Sequence, residues 1–356
     1  MNSQPLPSTP PEPARPGPHG LVSSNVRGRL GHIRLDRPAK INALNLDMIA
    51  AVRAALAGWR KDPQVVAVLI DGAGERGLCA GGDIAAVYDG IRGGSPAPQD
   101  FWADEYRMNL NIADYPKPVV ALMHGITLGG GIGISGHASV RVVTDNSLLA
   151  MPETAIGLSP DVGGLYLLAR APGELGTHAA LTGARLGPGD AITAELADYF
   201  VPLDALAGLT RTLAAIKSAG DVAQAVLAAA TTPPPSEFWH ANQQWIDECY
   251  AGDDAQEILR RLRSHQNANA RAAGDVLAVM SPTAVAVTLR ALRDARAMTL
   301  AEVLAQDLML SVRFAAHHDF LEGIRAQIID KDRNPHWDPM DLGDVLPSDV
   351  EAFFAQ

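Results

Sequence analysis

The sequence predicts an α/β protein, because short buried strands alternate with amphipathic helices through its first half. Two glycine-rich loops, residues 77–83 and 129–133, each follow such a strand. After about residue 205, alanine-rich helical patterns replace the alternation. We therefore predict an α/β core with right-handed crossovers over residues 21–215, followed by a mostly helical region over residues 216–356.

The first predicted strand and the first predicted helix enclose a polar turn. Residues 26–35 alternate apolar and polar side chains as a strand does, and the turn DRPAKIN follows them. Asn45 is then a suitable N-cap, because its side chain accepts hydrogen bonds from free backbone N–H groups of the first helical turn. The apolar face of this helix repeats at spacings of three and four, with Ile49, Val52, Leu56 and Trp59.

The next segments continue the alternation. Residues 65–70 (VVAVLI) form a short β-branched run bounded by Pro63 and Gly72, which indicates a buried strand. Further along, the patterns predict a helix over 101–113, a strand over 119–123, a helix that opens within 129–131 and a strand over 139–144.

The composition excludes several classes of protein. The 356-residue chain has a net charge of −11 and no run of Lys and Arg interleaved with aromatic residues, so we expect no nucleic-acid partner. No run of 18 or more apolar residues occurs, so we expect no membrane span. The two cysteines, Cys79 and Cys249, are too few for a disulfide framework and fit a reducing compartment. We therefore expect a cytoplasmic protein.

The N-terminus differs in composition from the rest of the chain. The first 20 residues hold seven prolines and no apolar stretch. This composition is neither that of a signal peptide nor that of an amphipathic transit peptide. We predict a disordered, polyproline-like tail over residues 1–20.

The second glycine-rich segment, HGITLGGGIGISGH, permits three interpretations. Gly131, Gly133 and Gly136 spell G-x-G-x-x-G, and Glu153 follows 17 residues later, as in a dinucleotide-binding fold. Alternatively, two adjacent loops that open helices direct two backbone N–H groups at one oxygen, which is the composition of an oxyanion hole. The glycines can also serve only to make tight turns.

Four segments resemble, in order, the signature segments of the crotonase (enoyl-CoA hydratase/isomerase) superfamily: LDRPAKINALN (35–45), GLCAGGDI (77–84), HGITLGGGIGIS (124–135) and AMPETAIGLSPDVGG (150–164). Three later segments extend the resemblance toward the C-terminus, at 281–295, 318–326 and 329–337. Within the superfamily, the chain is most similar to the 3-hydroxyisobutyryl-CoA hydrolases. The resemblance implies a crotonase-like spiral of ββα units, an acyl-CoA substrate, and no cofactor beyond the CoA of that substrate.

By this resemblance, the backbone N–H groups of Ala80 and Gly130 bind the thioester oxygen, and the G-x-G-x-x-G match is coincidental. Other substrate-contacting residues of the same two loops are then Gly81, Gly82, Asp83 and Gly129. Arg37 and Lys40 lie in the segment with which the family contacts the adenine and phosphates of CoA, largely through backbone. A solvated turn is an equally good interpretation of these two side chains.

The resemblance also implies roles for three carboxylates. Glu153 acts on the thioester carbonyl, either as a base that activates water or as a nucleophile that forms an anhydride. Asp161 assists proton transfer or holds the 3-hydroxyl of the substrate, and Glu105 forms a hydrogen bond in the acyl pocket. On local sequence alone, Glu153 is better explained as a residue of a first helical turn and Glu105 as part of a solvated helix face. Asp161 fits the start of a turn equally well.

Gly133 separates hydrolysis from hydration. Enoyl-CoA hydratases typically have a glutamate at this position, one of a pair that handles the added water. A positioned acid or base contributes about 10²–10⁴-fold to the rate, so its absence argues against efficient hydration. We expect hydrolysis of a short, branched 3-hydroxyacyl-CoA, as in valine catabolism. Enoyl-CoA hydration or isomerisation and non-catalytic acyl-CoA binding are the alternatives.

We expect no metal site and leave the oligomeric state open. The ten histidines show no metal-ligand spacing, and the adjacent pair His317 and His318 would point apart on a helix. The resemblance permits a homotrimer or homohexamer. A monomer is equally compatible, because an enlarged helical C-terminal region could replace the contacts between subunits.

Overall fold

The computed structural model describes residues 20–355, so nearly all of the predicted tail over 1–20 lies outside the described residues. The strands of the described part are β1 (Val22–Arg27), β2 (Leu30–Leu35), β3 (Ala67–Gly72), β4 (Val119–Met123), β5 (Ile126–Leu128), β6 (Val140–Val143), β7 (Leu148–Ala150) and β8 (Tyr199–Phe200). The helices of the first half are α1 (Leu46–Trp59), α2 (Ile84–Arg92), α3 (Ala97–Ala113), α4 (Gly130–Gly136), α5 (Gly164–Leu168), α6 (Leu175–Thr182) and α7 (Pro188–Thr193).

The second half of the described chain is helical, as predicted. Its helices are α8 (Leu206–Ala214), α9 (Asp221–Ala229), α10 (Glu237–Tyr250), α11 (Ala255–Ser264), α12 (Ala268–Leu277), α13 (Pro282–Ala295), α14 (Leu300–Ala315), α15 (His318–Ile324) and α16 (Pro347–Ala352). A short 3₁₀ helix at Glu153–Ile156 and a π-helical turn at Arg325–Ile329 contribute to the site described below.

Six strands form one mixed sheet in the order β1-β2-β3-β4-β6-β8. Strands β1 and β2 are antiparallel, and the remaining pairs are parallel. Strands β5 and β7 form a separate parallel pair. An antiparallel edge on an otherwise parallel sheet is common in α/β folds, so the predicted fold class is confirmed.

The predicted strand over 26–35 is wrong in its extent, because the chain forms a hairpin there. Strands β1 and β2 pair in register from Val22 with Leu35 to Arg27 with Leu30. Gly28 sits in the turn with φ +62°, and a Cβ at this position would overlap the backbone carbonyl of Ala214. The alternation of apolar and polar residues continues across the turn, so the pattern alone predicts one strand instead of two.

The other predicted elements are found with small shifts in their ends. Strand β4 matches the prediction, β3 lies two residues later than predicted, and α4 opens at Gly130. Helix α3 begins at Ala97, directly after Pro96, rather than at residue 101. The elements that the patterns missed include β5, β7 and β8, which have three residues or fewer and therefore too few positions to show a period.

Helix α1 begins at the predicted cap. Asn45 has an extended backbone, and its Oδ1 accepts a hydrogen bond from Met48 N at 2.9 Å. Ile49, Val52 and Leu56 are fully buried beneath the helix, as its spacing predicts. The cap therefore fixes the point at which the polar turn of residues 36–42 leads into the helix.

Asn45→Ala is expected to lower the free energy of unfolding by about 1 kcal/mol, because the N–H of Met48 then loses its acceptor. Chemical denaturation of the parent and variant measures this difference. Asn45→Asp, which keeps an acceptor oxygen, is the control and should unfold close to the parent. A loss well below about 0.5 kcal/mol for Asn45→Ala would contradict the assignment.

Two apolar layers cover the sheet. One layer packs Leu30, Leu69 and Val142 of the sheet against Leu209 of α8 and Val226 of α9. The other layer is a larger cluster that joins the inner sheet face to α1, α3 and the C-terminal helices. Because α8 and α9 share one face of the sheet, the predicted boundary at 215/216 falls between two helices of the same layer.

None of the helices in residues 20–355 is by itself long and apolar enough to cross a membrane. Helices α12 and α13 meet the length and composition criterion only as a pair that is bent by 111°.

Candidate active site

The first glycine-rich loop is fixed by a buried asparagine. Asn42, which lies in the turn before α1, donates through Nδ2 to the carbonyl oxygens of Ala73 and Leu78 at 3.0 Å each. Ile41 and Asn42 both have positive φ, 47° and 55°, which is costly for the β-branched Ile41. These contacts hold the turn against the loop that follows β3.

The two glycine-rich loops are joined by backbone hydrogen bonds. Cys79 N donates to Ile126 O at 3.2 Å, and Leu128 N donates to Cys79 O at 3.0 Å. The first loop therefore pairs with β5 along its edge. As a result, Gly82 lies beside Gly130, and a Cβ on Gly130 would lie 3.3 Å from Gly82 N.

The prediction that Ala80 supplies an oxyanion donor is wrong, because its N–H is already used. Ala80 N donates to Ile41 O at 2.9 Å. In the described part of the chain, the N–H groups of Gly82 and Gly130 have no acceptor. Gly130 is the first residue of α4, where backbone N–H groups lack helical partners. The free and adjacent pair is therefore Gly82 with Gly130.

The short β5–β7 ladder carries Glu153 to the same place. Gly129 N donates to Ala150 O at 3.2 Å, and Glu153 follows β7 at the start of the 3₁₀ helix. Gly129 has φ +47° and ψ −117°, and a Cβ there would lie 2.6 Å from Glu153 Oε1. Only glycine combines this backbone conformation with a carboxylate so close.

Helix α3 supplies a second carboxylate. Glu105 is buried, and a Cβ on Gly130 would overlap its Oε1. Phe101, one turn earlier on α3, packs beside Gly82. Glu105 Oε1 and Glu153 Oε2 have no hydrogen-bond partner among the described residues. Two buried carboxyl groups thus keep an oxygen free for a ligand.

Asp161 is held by a tyrosine. Tyr106 OH donates to Asp161 Oδ2 at 2.6 Å, and Ser311 Oγ lies 2.8 Å from the same hydroxyl. Tyr106 and Ser311 carried no motif, so the sequence analysis did not select them. The position of Tyr106, directly after a candidate carboxylate on a helix, was the sole available signal.

The three carboxyl groups and the free N–H pair line one cavity of about 270 Å³. This is slightly smaller than the range of about 300–1,000 Å³ for drug-sized ligands, and it fits a short acyl group. Of the predicted site residues, those lining the cavity are Ala80, Gly81, Gly82, Glu105, Gly129, Gly130, Glu153 and Asp161. Its apolar lining includes Ile84, Phe101, Trp102 and Ile328.

Three predicted residues do not line this cavity. Arg37 pairs with Asp83, with Nη2 and Oδ2 2.7 Å apart, and donates to Ala43 O. These two side chains therefore tie the turn before α1 to the first loop. Lys40 is exposed on the same turn. Their predicted contacts with substrate or CoA stay predictions.

Burial dominates the electrostatics of the site. Burial is the largest cause that raises the pKa of Glu153 and of Glu105 well above the usual value, and the negative charge of Asp161 raises both further. Burial also raises the pKa of Asp161, to about 6, although the hydrogen bond from Tyr106 opposes the increase. The pKa of each of the three carboxyl groups is therefore raised toward or beyond the range in which acid–base chemistry operates, and that of Asp161 lies within it.

The G-x-G-x-x-G glycines serve packing rather than ligand binding. A Cβ on Gly131 would overlap Cys79 O, and one on Gly136 would lie 2.8 Å from Leu167 Cδ1. A Cβ on Gly133 would lie 2.7 Å from Val162 Cβ and 2.8 Å from Asn109 Nδ2. All three lie inside the buried helix α4, so the dinucleotide alternative has no support here. The space that a side chain at position 133 would occupy is filled by Val162 and Asn109.

In residues 20–355, no group of three or more histidine, cysteine, aspartate or glutamate side chains has an arrangement that would hold a metal ion.

A family model described as enoyl-CoA hydratase/isomerase matches residues 30–354. Fold and sequence thus define the class, and the chain belongs to the enoyl-CoA hydratase/isomerase family. The mitochondrial 3-hydroxyisobutyryl-CoA hydrolase of Rattus norvegicus is 41% identical over 334 residues, covering 92% of this chain and 87% of the relative. The enzyme of the same name from Homo sapiens is 40% identical, covering 92% and 86%.

Two solved structures share the fold over almost the whole chain. One, described as a carnitinyl-CoA dehydratase from Mycobacterium thermoresistibile, has a TM-score of 0.89 and 45% identity, covering 94% of this chain and 96% of that one. The other, described as an enoyl-CoA hydratase from Rhodobacter sphaeroides 2.4.1, has a TM-score of 0.88 and 44% identity, covering 94% and 97%. The predicted crotonase-like fold is therefore confirmed.

Proposed function

We propose that this chain hydrolyses the thioester of a short, branched 3-hydroxyacyl-CoA, of the 3-hydroxyisobutyryl-CoA type, to the free acid and CoA. The observation that carries the proposal is the free N–H pair of Gly82 and Gly130 beside a carboxyl group with an unpartnered oxygen, Glu153 Oε2. The names of the curated relatives point to the same substrate.

The N–H pair stabilises the oxygen of the thioester. When water or a carboxylate adds to the carbonyl carbon, the oxygen gains negative charge, and two fixed donors stabilise it more strongly than they stabilise the uncharged carbonyl. Both donors are backbone groups with fixed positions, Gly82 in the first glycine-rich loop and Gly130 at the start of α4. They therefore need no reorganisation as the charge develops.

Glu153 supplies the ionised oxygen. It removes a proton from the attacking water, or it attacks the carbonyl carbon itself and the resulting anhydride is hydrolysed. In both routes the C–S bond breaks, and the CoA thiolate leaves and takes up a proton. Asp161 assists this proton transfer or holds the 3-hydroxyl, and Glu105 closes the polar side of the acyl pocket.

Hydration is the second candidate, because the two solved structures above are described as a dehydratase and a hydratase. The surroundings of Gly133 argue against it. A second carboxylate from α4 at this position would collide with Val162 and Asn109, both of which are fully buried. The chain therefore lacks room for the glutamate that the hydratases carry there.

A thiol-trapping assay tests the proposal. Release of free CoA from 3-hydroxyisobutyryl-CoA is the expected result. Hydration of crotonyl-CoA without thiol release would support the hydratase instead. If neither reaction occurs while an acyl-CoA binds in calorimetry, the chain is a non-catalytic acyl-CoA-binding protein and the proposal is overturned.

The rate should depend on pH in a way that the site predicts. Glu153 acts ionised, and its pKa is raised by burial and by the charge of Asp161, so kcat/KM rises with pH through a midpoint above the usual glutamate value. Asp161→Asn removes that charge and lowers the pKa of Glu153. The acid limb of the kcat/KM profile should then move to lower pH.

The position of this limb is independent of the size of the rate. Asp161→Asn is expected to lower kcat as well, yet the midpoint is read from the shape of the profile. A limb that stays in place, or that moves to higher pH, would show that Asp161 does not act electrostatically on the group that titrates. Glu195→Gln, on an exposed residue, is the matched control and should leave the profile unchanged.

The proposed function also has a metabolic role and a compartment. A role in valine catabolism follows from the 3-hydroxyisobutyryl group in the names of the relatives. We keep the cytoplasm as the proposed compartment, whereas the named relatives are mitochondrial.

A further inference from the structure

The C-terminal helix α14 places two polar side chains against the back of the active site. Asp307 and Ser311 are one helical turn apart and are each 1% exposed. Asp307 Oδ2 accepts a hydrogen bond from Gly163 N at 2.8 Å. Ser311 Oγ lies 2.8 Å from Tyr106 OH. Both side chains therefore contact groups next to Asp161. Gly163 follows it by two positions in the chain, and Tyr106 OH binds its carboxyl group.

The segment that carries Asp161 adopts a costly conformation. Val162, which follows it, has φ +53°. This left-handed region is strained for a β-branched residue and persists only where the surroundings impose it. The carbonyl oxygen of Val162 accepts from His137 Nε2 at 2.8 Å and from Asn109 Nδ2 at 3.4 Å. Asp307 accepts from the N–H group of Gly163, so both polar groups of the peptide bond that follows Val162 are held.

The hydrogen bonds at Tyr106 have a definite direction. Tyr106 has one hydroxyl proton, and it donates that proton to Asp161 Oδ2 at 2.6 Å. Ser311 must then donate to the tyrosine oxygen. The chain Ser311–Tyr106–Asp161 ends on the carboxyl oxygen Oδ2 and so fixes its direction. Each member is buried, so water does not compete for these bonds.

We propose that Asp307 and Ser311 are positioning residues that hold the carboxyl group of Asp161 in the cavity, Asp307 through the Gly163 N–H and Ser311 through Tyr106. The helical C-terminal region thereby completes a site whose reacting groups all lie in the first half of the chain. The inference rests on the proposed role of Asp161 in hydrolysis. Buried polar side chains are costly unless they form hydrogen bonds, as Asp307 and Ser311 do here.

A double-mutant cycle tests the proposal. Asp307→Ala and Ser311→Ala are each made in the parent and in Asp161→Ala, and kcat and KM are measured with the same thioester. In the parent background, each is expected to lower kcat by about 10-fold or more, since a misplaced group costs up to about 10²-fold. In Asp161→Ala no group remains to be positioned, so neither is expected to lower kcat further.

Two further variants separate positioning from folding. Asp307→Asn keeps an oxygen that accepts from Gly163 N–H, and it is expected to restore most of the kcat that Asp307→Ala loses. Gln306→Leu replaces a buried neighbour on α14 that bonds Ala291 O instead, and it should leave kcat within about twofold of the parent. If Asp307→Ala does not fold, Ser311→Ala with Asp161→Ala still forms a complete cycle, and equal losses in both backgrounds there overturn the positioning role.

The outcomes are distinct. Equal losses of kcat in the parent and in Asp161→Ala would overturn the positioning role alone. So would parental kcat for both Asp307→Ala and Ser311→Ala, if Asp161→Ala by itself lowers kcat. Parental kcat for Asp161→Ala would overturn the proposed role of Asp161 itself, and the positioning role with it. Loss in the parent background only, with rescue by Asp307→Asn, supports the proposal.

Discussion

Glu153→Gln is expected to lower kcat by at least about 10²-fold and to leave the protein folded. The amide has nearly the same shape, but it neither accepts a proton from water nor attacks a carbonyl. Glu153 Oε2 has no partner among the described residues, so the substitution breaks no structural hydrogen bond at that atom. Steady-state thiol release and a thermal unfolding curve measure the two halves of this prediction.

The stability of this variant has a predicted sign. The pKa of Glu153 is raised in the folded state, so the folded protein keeps a proton that the unfolded chain has already released. Glu153 therefore makes the parent lose stability as pH rises from the ordinary glutamate pKa toward the raised one, and the glutamine variant lacks this contribution. At pH 8 the variant should be at least as stable as the parent. Near-parental kcat would remove Glu153 from the mechanism.

Gly130→Ala is expected to lower kcat by about 10²–10³-fold. The added methyl group would lie 3.3 Å from Gly82 N and would overlap Glu105 Oε1, so it fills the space where the thioester oxygen binds. Gly130 begins α4 and does not have positive φ, so alanine fits the backbone there. Thiol-release kinetics measure the loss, and circular dichroism confirms that the fold is retained.

Gly58→Ala is the matched control for this variant. Gly58 lies inside α1, and a Cβ there would meet nothing within 4 Å. Alanine at such a helical position should raise stability by about 0.4–1 kcal/mol without a change in kcat. A Gly130→Ala variant that folds and keeps parental kcat would show that the thioester oxygen does not bind between Gly82 and Gly130.

The site shows how far sequence reasoning extends. The order of the segments identified the family, and the family resemblance grouped the two glycine-rich loops with Glu153 and Asp161, which the structure brings together in one cavity. The donor within the first loop was placed two residues too early. Which N–H group stays free depends on whether Ile41 O takes the N–H of Ala80, and that contact crosses 39 positions of the chain.

The sequence by itself determined the family, the α/β core, the helical second half and eight of the eighteen residues that line the cavity. Those features depend on local propensity, on spacing along the chain and on motifs, all of which can be read in order. The tertiary structure alone decided that Gly82 rather than Ala80 keeps a free N–H, and that α14 contacts Tyr106 and Gly163. Hydrogen-bond partners compete in space, and the bond from Ser311 to Tyr106 joins residues 205 positions apart, which no local pattern encodes.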